Sequence, residues 1–577
     1  MRHSATVIIV AVIGVVLTTV GFFTTSGSEN ESVTAVERGK TLYERYCSTC
    51  HGLDGKGNGP GAVYLLPKPR DFTGGIFKFQ SAPSGSLPTD QDLLRTIQNG
   101  MPGSGMPSWD RLSEREQSDL VEYIKSFSQR FQSEKPSDVV VIGEQPQATP
   151  KMVRDGKAIY ALASCWSCHG KTGAGDGPAA DALQDEFGRV IRPYNFTRAG
   201  AFKGGGTPRD IYRTFSTGIG GTPMPGYAED ALTFGREDFT DLGNLEGQYT
   251  AQEIGEVKSF IEQLPTREQI LRMSDAGRKS LADAMRWSLV YYILSLADPR
   301  KTQVAYTTKD HPLHTTRVAD VSQFGDPEVE HWKKIKETEL ALVSLWQRDT
   351  PTDRVLIKCA TDGKSIAFRL EWEDSTKDDG ALYNAKFGDA AAIQFPLDPT
   401  REPFFAMGDT NFIVNIWHWK SRWEKDIEKF AGVSSAFPRN AADFYPFDVS
   451  GNSRAEYFAT VDSAKALSKT WNAGWGSGNL LSAQVRRSAV EDLNAKGFGT
   501  LTSQGEGGQN VKGQGIWRDG RWSMVFIRML DSHEKNDAVL AVGTTIPVAF
   551  AVWDGSFGDR NGQKMVTNWY PLTIGAK

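Results

Sequence analysis

Cys47–His51 reads CSTCH and Cys165–His169 reads CWSCH, so the chain contains the motif C-x-x-C-H twice. These two copies hold four of the five cysteines in the 577 residues, and only Cys359 lies outside them. Paired spacing within each copy, with a histidine directly after it, is not the pattern of a disulfide scaffold. The cysteines therefore indicate a bound cofactor or metal.

The C-x-x-C-H spacing suits covalent haem attachment. Two thiols on one helical turn can form thioether bonds to a porphyrin edge, while the adjacent histidine binds the iron. A thioredoxin-like redox pair and half of a zinc site are the alternatives. Two copies inside one internal repeat favour two covalent c-type haems. The predicted attachment residues are Cys47, Cys50, Cys165 and Cys168, and the predicted histidine ligands are His51 and His169.

The internal repeat extends well beyond the motifs. Each motif histidine is followed by Gly at the first, fourth, sixth and eighth positions and by Pro at the ninth. A further repeated segment follows at a slightly different offset, in which Arg70-Asp-Phe-Thr corresponds to Tyr194-Asn-Phe-Thr. At the constant offset of the repeat, Met106-Pro coincides with Met224-Pro. The first half of the chain is thus predicted to contain two related modules.

Met106 and Met224 are the predicted sixth iron ligands, because a thioether is a soft ligand that favours ferrous iron. Met101 is a rival in the first module, since it also lies in a loop rich in Gly and Pro. The repeat favours Met106, because the counterpart of Met101 is Ile219.

Helical patterns surround both motifs. Ser113-x-x-Glu and Thr250-x-x-Glu are capping boxes that predict helix starts, and residues 281–296 predict an aromatic-rich closing helix. In motif order, residues 36–132 and 150–297 resemble class I cytochrome c. This resemblance implies two all-α cytochrome c domains.

The N-terminus differs in composition from the rest of the chain. Arg2 and His3 precede an apolar run over residues 5–23, followed by polar and acidic sequence. That run is long enough to span a bilayer and carries no A-x-A-like cleavage site, so residues 1–30 are predicted to be a transmembrane anchor or uncleaved signal, with a cleaved secretory signal as the alternative. The remainder is predicted to face the periplasm or another extracytoplasmic space. The formal net charge of -5 argues against nucleic acid as a partner.

Strand signals dominate after Pro299. Residues 355–360 and 366–372 flank an Asp-Gly turn, and Trp517–Trp522 reads as a tight hairpin with Asp-Gly at its tip. Residues 412–419 and 545–553 predict further strands. We therefore expect residues 320–577 to form an antiparallel β-sandwich, with Cys359 buried in a strand as a small apolar residue.

The third region contains a series of distinctive motifs: Asp389–Pro396 (DAAAIQFP), Phe405–Gly408 (FAMG), Asn415–Lys420 (NIWHWK) and Trp517-x-x-Gly-x-Trp. Together they resemble the haem-b-binding subunit of ethylbenzene dehydrogenase and related molybdenum enzymes. The resemblance implies a non-covalent haem b held between a Met and a Lys. Met407 matches the Met position and Lys512 is the predicted Lys, with Gln514 as the alternative. His418 is predicted to be a hydrogen-bonded residue of the sandwich, although it could also bind haem.

The resemblance implies an electron-transfer subunit with two haems c and one haem b. Its expected partners are a molybdenum catalytic subunit, an iron–sulfur subunit and a respiratory acceptor such as a cytochrome c or a terminal oxidase. Nitrite oxidoreductase is the favoured parent enzyme, ahead of chlorate, selenate, dimethyl sulfide and hydrocarbon enzymes. A dihaem shuttle with a cofactor-free docking domain and a self-contained dehydrogenase remain alternatives.

Overall fold

The computed structural model describes most of the chain after the N-terminal segment. Residues 35–577 form one compact unit. The predicted anchor, residues 1–30, lies outside the described residues. Among the helices that are described, none combines the length and apolar character needed to cross a bilayer. The described residues are 34–198, 202–228, 232–297, 307–309, 311–348, 352–380, 383–428, 430, 432–439, 473–483 and 486–575.

The first helical domain is closed by two helices that cross at close range. A Cβ atom at Gly39 would lie 2.0 Å from the carbonyl oxygen of Asp119, so only glycine permits this approach of α1 to α4. The Ser113 side chain caps α4 as the sequence predicts. The helices are α1 (Ala35–Tyr46), α2 (Ser48–His51), α3 (Asp90–Asn99), α4 (Glu114–Ser126) and α5 (Arg130–Ser133), with a 3₁₀ turn at Ala62–Tyr64.

The second helical domain repeats this crossing. A Cβ atom at Gly156 would lie 2.1 Å from the carbonyl oxygen of Ser288, where α6 meets α11. Thr250 caps α9, again as predicted. The helices are α6 (Pro150–Leu162), α7 (Trp166–His169), α8 (Pro208–Thr217), α9 (Ala251–Gln263), α10 (Arg267–Arg272) and α11 (Asp275–Ser295), with 3₁₀ turns at Ala180–Ala182, Arg236–Asp238 and Gly243–Leu245.

The third region contains two β-sheets. Six strands form one sheet in the order β11-β12-β6-β5-β2, with β3 beside β5. Their bounds are β2 (Thr316–Arg317), β3 (Glu337–Ala341), β5 (Arg354–Thr361), β6 (Ser365–Glu373), β11 (Lys512–Arg518) and β12 (Arg521–Met529).

The other sheet has nine strands in the order β1-β15-β13-β7-β8-β9-β10, with β14 paired to β13 and β4 paired to β14. The pairings in both sheets are antiparallel, as predicted, except for β1–β15 and β2–β5. The bounds are β1 (Leu313–His314), β4 (Val343–Ser344), β7 (Ala390–Pro396), β8 (Val414–Lys420), β9 (Val490–Ala495), β10 (Thr502–Ser503), β13 (Thr545–Trp553), β14 (Met565–Val566) and β15 (Tyr570–Thr573).

Short helices connect these strands. The α-helices are α12 (Ser421–Glu428), α13 (Val433–Ala436) and α14 (Ala473–Gly476). The 3₁₀ turns are Val321–Phe324, Glu330–Lys334, Leu480–Ser482, Glu506–Gly508 and Gly555–Phe557.

One apolar core lies between the two sheets. Large side chains from the six-stranded sheet, such as Phe368 and Trp522, meet Trp417 and Phe550 of the nine-stranded sheet. Cys359 belongs to this core and is 2% exposed, as the sequence predicts. Burial of such aromatic area is the main stabilisation expected for a two-layer β fold.

The outer face of the nine-stranded sheet packs against the first helical domain. Residues of both parts share one apolar cluster. The Tyr64 ring stacks on Phe498 at 4.7 Å, and the Asn568 side-chain amide donates to the Ser108 carbonyl at 2.6 Å. This sheet face is therefore covered rather than exposed to solvent.

The two helical domains also contact each other. The Gly220 N–H donates to the Lys78 carbonyl at 3.1 Å. Arg70 of the first domain forms an ion pair with Glu186 of the second, with both side chains largely buried. The first helical domain therefore contacts both the second one and the sandwich.

Candidate cofactor-binding sites

The first C-x-x-C-H motif presents its histidine in a defined orientation. His51 Nδ1 donates to the Arg70 carbonyl at 3.0 Å, and its ring stacks on Phe72 at 4.5 Å. A proton fixed on Nδ1 leaves Nε2 free to bind a metal. Burial lowers the pKa of His51 to about 4, which keeps the imidazole neutral.

The second motif has the same geometry. His169 Nδ1 donates to the Tyr194 carbonyl at 3.1 Å, and its ring stacks on Phe196 at 4.4 Å. Burial lowers the pKa of His169 to about 4 as well. The partners of both histidines belong to the repeated segments that begin at Arg70 and Tyr194. These segments therefore orient the two histidines.

No disulfide joins the cysteines beside the histidines. Burial raises the pKa of Cys47, Cys50 and Cys165 to about 12, which is unlike the activated thiol of a redox pair. Within the described part of the chain, no further His, Cys, Asp or Glu completes a metal-ligating group with either motif. The surroundings suit thioether attachment better than zinc or thiol chemistry.

A methionine loop faces each motif. Met106 lines the same pocket as Cys47, Cys50 and His51, and its carbonyl accepts from the Met101 N–H at 2.9 Å. Met101 lines this pocket too.

The second module contains the same loop with one informative difference. The Ile219 N–H donates to the Met224 carbonyl at 3.2 Å, in place of the Met101–Met106 contact. Met224 and Cys165 pack against one apolar cluster. Met106 and Met224 therefore hold equivalent positions, whereas Met101 has an apolar counterpart.

A separate cavity of about 360 Å³ lies on the outer face of the nine-stranded sheet. Alanines face it from neighbouring strands, with Ala392 of β7 directly opposite Ala551 of β13. Tyr64 of the first helical domain lines it as well. A cavity lined mainly by apolar side chains, with a few polar groups, is typical of a cofactor site.

Met407 lines this cavity in a strained conformation. Its φ of 86° lies in the left-handed region, which residues other than glycine rarely adopt. The Met407 N–H donates to the Gln394 side chain at 3.2 Å, and its carbonyl accepts from the Gly497 N–H at 2.9 Å. Strain held by such contacts is typical of functional positions.

Lys564 lines the same cavity and is 5% exposed. Among the described residues no carboxylate forms an ion pair with it, and its amine lies 4.8 Å from the centre of the Trp553 ring. Burial lowers the pKa of Lys564 to about 8. An amine with a lowered pKa and no acidic partner is suited to bind iron as a neutral ligand.

His418 lines the cavity too, beside Trp553, with the two ring centres 4.8 Å apart. Its Nε2 is buried and has no hydrogen-bond partner among the described residues, contrary to the prediction of a hydrogen-bonded residue. Burial lowers the pKa of His418 well below its ordinary value.

The structure does not bring Lys512 to Met407. Lys512 is exposed at the start of β11, in the six-stranded sheet, and Gln514 on the same strand is exposed as well. The cavity lies against the other sheet. Lys564, which the sequence analysis missed, takes the position expected for Lys512. Lys564 and Val566 face the cavity, whereas Met565 between them faces the core. This alternation along a strand is the sequence signal that could have identified Lys564.

The first cytochrome pocket contacts both neighbours. Phe404 and Phe405 of the sandwich line it, and Phe405 also lines the cavity of Met407. From the second helical domain, Lys203 lines it beside Lys78. Burial and the charge of Lys78 lower the pKa of Lys203 to about 8. One pocket is thus completed by side chains from all three parts of the chain.

Comparison with known protein families assigns a class to each half of the chain. Residues 36–128 and 153–297 match the family described as Cytochrome c, and residues 317–565 match the family described as Ethylbenzene dehydrogenase. The helical half therefore contains cytochrome c domains, and the β-sheet half contains an ethylbenzene dehydrogenase-like domain. The cytochrome c domains indicate haem c as a cofactor.

Individual relatives match about half of the chain. A protein of Haloferax mediterranei, provisionally assigned as a respiratory nitrate reductase heme subunit, is 25% identical over 46% of this chain and 72% of its own. The chlorate reductase subunit gamma of Ideonella dechloratans is 22% identical over 43% and 79%. A chain in the reducing HAO-like protein complex of Kuenenia stuttgartiensis is 38% identical over 46% and 98%, with a TM-score of 0.36.

Proposed function

We propose that this chain is the electron-transfer subunit of an oxidoreductase complex and carries two haems c and one haem b. Bound haem supplies one-electron exchange at its iron. Cys47, Cys50, Cys165 and Cys168 would attach the covalent pair, with His51 and Met106 as iron ligands in the first module and His169 and Met224 in the second. Residues 36–132, 150–297 and 320–577 are the three cofactor-binding domains of this proposal.

Met407 and Lys564 would hold haem b in the cavity of the sandwich. The alanines that face the cavity leave space for a large apolar ring, and the two side chains offer a soft thioether and an amine without an acidic partner. The Met407 loop is fixed by its contacts with Gln394 and Gly497, so its thioether is preorganised for a ligand. Lys564 thereby replaces Lys512 as the second ligand.

The observation that carries the proposal is the shared wall of the two sites. Phe405 lines both the first cytochrome pocket and the cavity of Met407. Lys203 reaches the same pocket from the second module. In this proposal the haem of the first module exchanges electrons both with haem b and with the second haem c.

The partners follow from the relatives, two of which are named as subunits of nitrate and chlorate reductases. A molybdenum catalytic subunit and an iron–sulfur subunit would exchange electrons with haem b, and a respiratory acceptor would exchange them with the second haem c. We assign nitrite oxidoreductase as the parent enzyme, because two His/Met haems suit high-potential electrons. The complex would work at the membrane on its extracytoplasmic side.

Electron sharing inside one chain tests the relay. When ferric chain is mixed with less than one equivalent of reductant, the separate b and c absorption bands should reach equilibrium in a stopped-flow instrument. The rate should not change when chain concentration is varied tenfold, because the exchange is intramolecular. A rate proportional to chain concentration would show that electrons pass only between molecules and would contradict the relay.

A further inference from the structure

Three buried aspartates meet at one end of the sandwich. Asp374, Asp389 and Asp554 are 3%, 1% and 5% exposed, and one carboxylate oxygen from each lies within 4.8 Å of the others. Asp374 directly follows β6 of the six-stranded sheet. Asp389 precedes β7 and Asp554 follows β13, which are neighbours in the nine-stranded sheet. The cluster thus joins the two sheets.

No direct ion pair neutralises this cluster. No Arg or Lys in the described part of the chain forms an ion pair with any of the three aspartates. The nearby Arg348 pairs with Asp559, although the charge of Asp554 also acts on Arg348 and raises its pKa against the effect of burial. Asp374 Oδ2 is buried without any hydrogen bond. Burial of carboxylates without a compensating charge is unfavourable, because each buried ion loses its hydration. Such an arrangement calls for a cation or for bound protons.

Neighbouring donors already orient the carboxylates. Asp389 accepts from the Gly555 N–H at 2.8 Å and from the Trp522 indole N–H at 3.0 Å. Asp554 accepts from the Ser556 N–H at 2.9 Å. Burial, together with the repulsion of the neighbouring carboxylates, raises the pKa of both Asp389 and Asp374. Both directions reflect concentrated negative charge that a cation would relieve.

We propose that Asp374, Asp389 and Asp554 form a Ca²⁺ site that fixes one end of the sandwich. Oxygen atoms within 4.8 Å of one another fit around Ca²⁺, whose ligands at about 2.3–2.6 Å place opposite oxygens about 5 Å apart. Mg²⁺ binds at about 2.0–2.1 Å and keeps several waters, so a buried cluster of carboxylates suits it less well.

The site has a structural consequence for the cavity of Met407. The chain that leaves Asp554 supplies Asn561, Gly562 and Lys564 to the cavity wall. Gly555 packs tightly here, since a Cβ atom on it would lie 2.3 Å from the Phe387 carbonyl oxygen. A cation bound at Asp554 would therefore anchor the segment that positions Lys564.

Metal analysis of the full-length, haem-loaded chain tests the proposal. After dialysis against metal-free buffer, elemental analysis should find one Ca²⁺ per chain, and treatment with EGTA should remove it. Adding Ca²⁺ back at about 100 times its Kd should raise the Tm of the sandwich by about 5–10 °C. Absence of bound Ca²⁺ together with an unchanged Tm would overturn the proposal. An equal response to Mg²⁺ would overturn its assignment to Ca²⁺.

A pair of variants adds a matched control. D554N should lose the bound Ca²⁺ and the Tm response, whereas D398N, which changes a half-exposed aspartate of the same domain, should retain both. Full Ca²⁺ binding by D554N would contradict the ligand set. The metal content of the unmodified chain needs no variant, so misfolding of D554N leaves the test intact.

Loss of extractable haem on EGTA treatment is a second readout, and this readout alone rests on the proposed function. The covalent haems should remain. A chain that binds Ca²⁺ but has no extractable haem would remove the proposed haem b and leave the Ca²⁺ site in place. A chain with haem b and no bound Ca²⁺ would remove the Ca²⁺ site and leave the proposed haem b in place.

Discussion

Lys564→Leu is expected to abolish binding of the extractable haem b and to leave both covalent haems in place. Lys564 is the buried amine that faces the Met407 cavity without an acidic partner, and leucine keeps much of its volume but offers no ligand atom. Spectra of the purified variant after acid–acetone extraction should show almost no haem in the organic phase.

Lys512→Leu is the matched control, because Lys512 is an exposed lysine of the same domain on the other sheet. It should retain haem b in full. Loss of haem b in the Lys512 variant with retention in the Lys564 variant would reverse our assignment. Met407→Ala should act like Lys564→Leu, since it removes the ligand expected from the strained Met-Gly loop.

Met106→Ala and Met224→Ala should each lower the midpoint potential of one haem c. The thioether favours ferrous iron, and axial ligands set haem potentials over a range of about 0.8 V, so a fall on the order of 100 mV or more is expected. Potentiometric titration followed at the c-haem absorption band measures both changes.

Met101→Ala provides the control for the first module. Met101 lines the same pocket as Met106, but Ile219 replaces it in the second module, so it should affect the potential only weakly. A large fall in Met101→Ala with little change in Met106→Ala would show that the repeat identifies the wrong methionine.

The helical half could be predicted in detail because its information is local and occurs twice. The C-x-x-C-H motifs, the capping boxes and the methionine positions each lie within a few residues of sequence. The repeated segments at Arg70 and Tyr194 were visible in the sequence, but their role was not. That role depends on a carbonyl reaching a histidine across a loop, which spacing alone does not reveal.

The sandwich was predictable as a fold but only partly as a site. Alternating residues predicted β5, β6 and β13, whereas membership of one sheet or the other depends on pairings between distant strands. Lys512 and Lys564 therefore looked alike in sequence, although only Lys564 faces the cavity. The aspartate cluster could not be predicted for the same reason, because its three residues meet through strands that are far apart in the chain.

The most direct test of the account is the haem content of the purified full-length chain, measured as the pyridine haemochrome before and after acid–acetone extraction. The account predicts two haems c that remain with the protein and one haem b that is extracted. Two haems c with nothing extractable, from a preparation made without loss of cofactor, would contradict the three-haem relay and leave the sandwich as a docking domain.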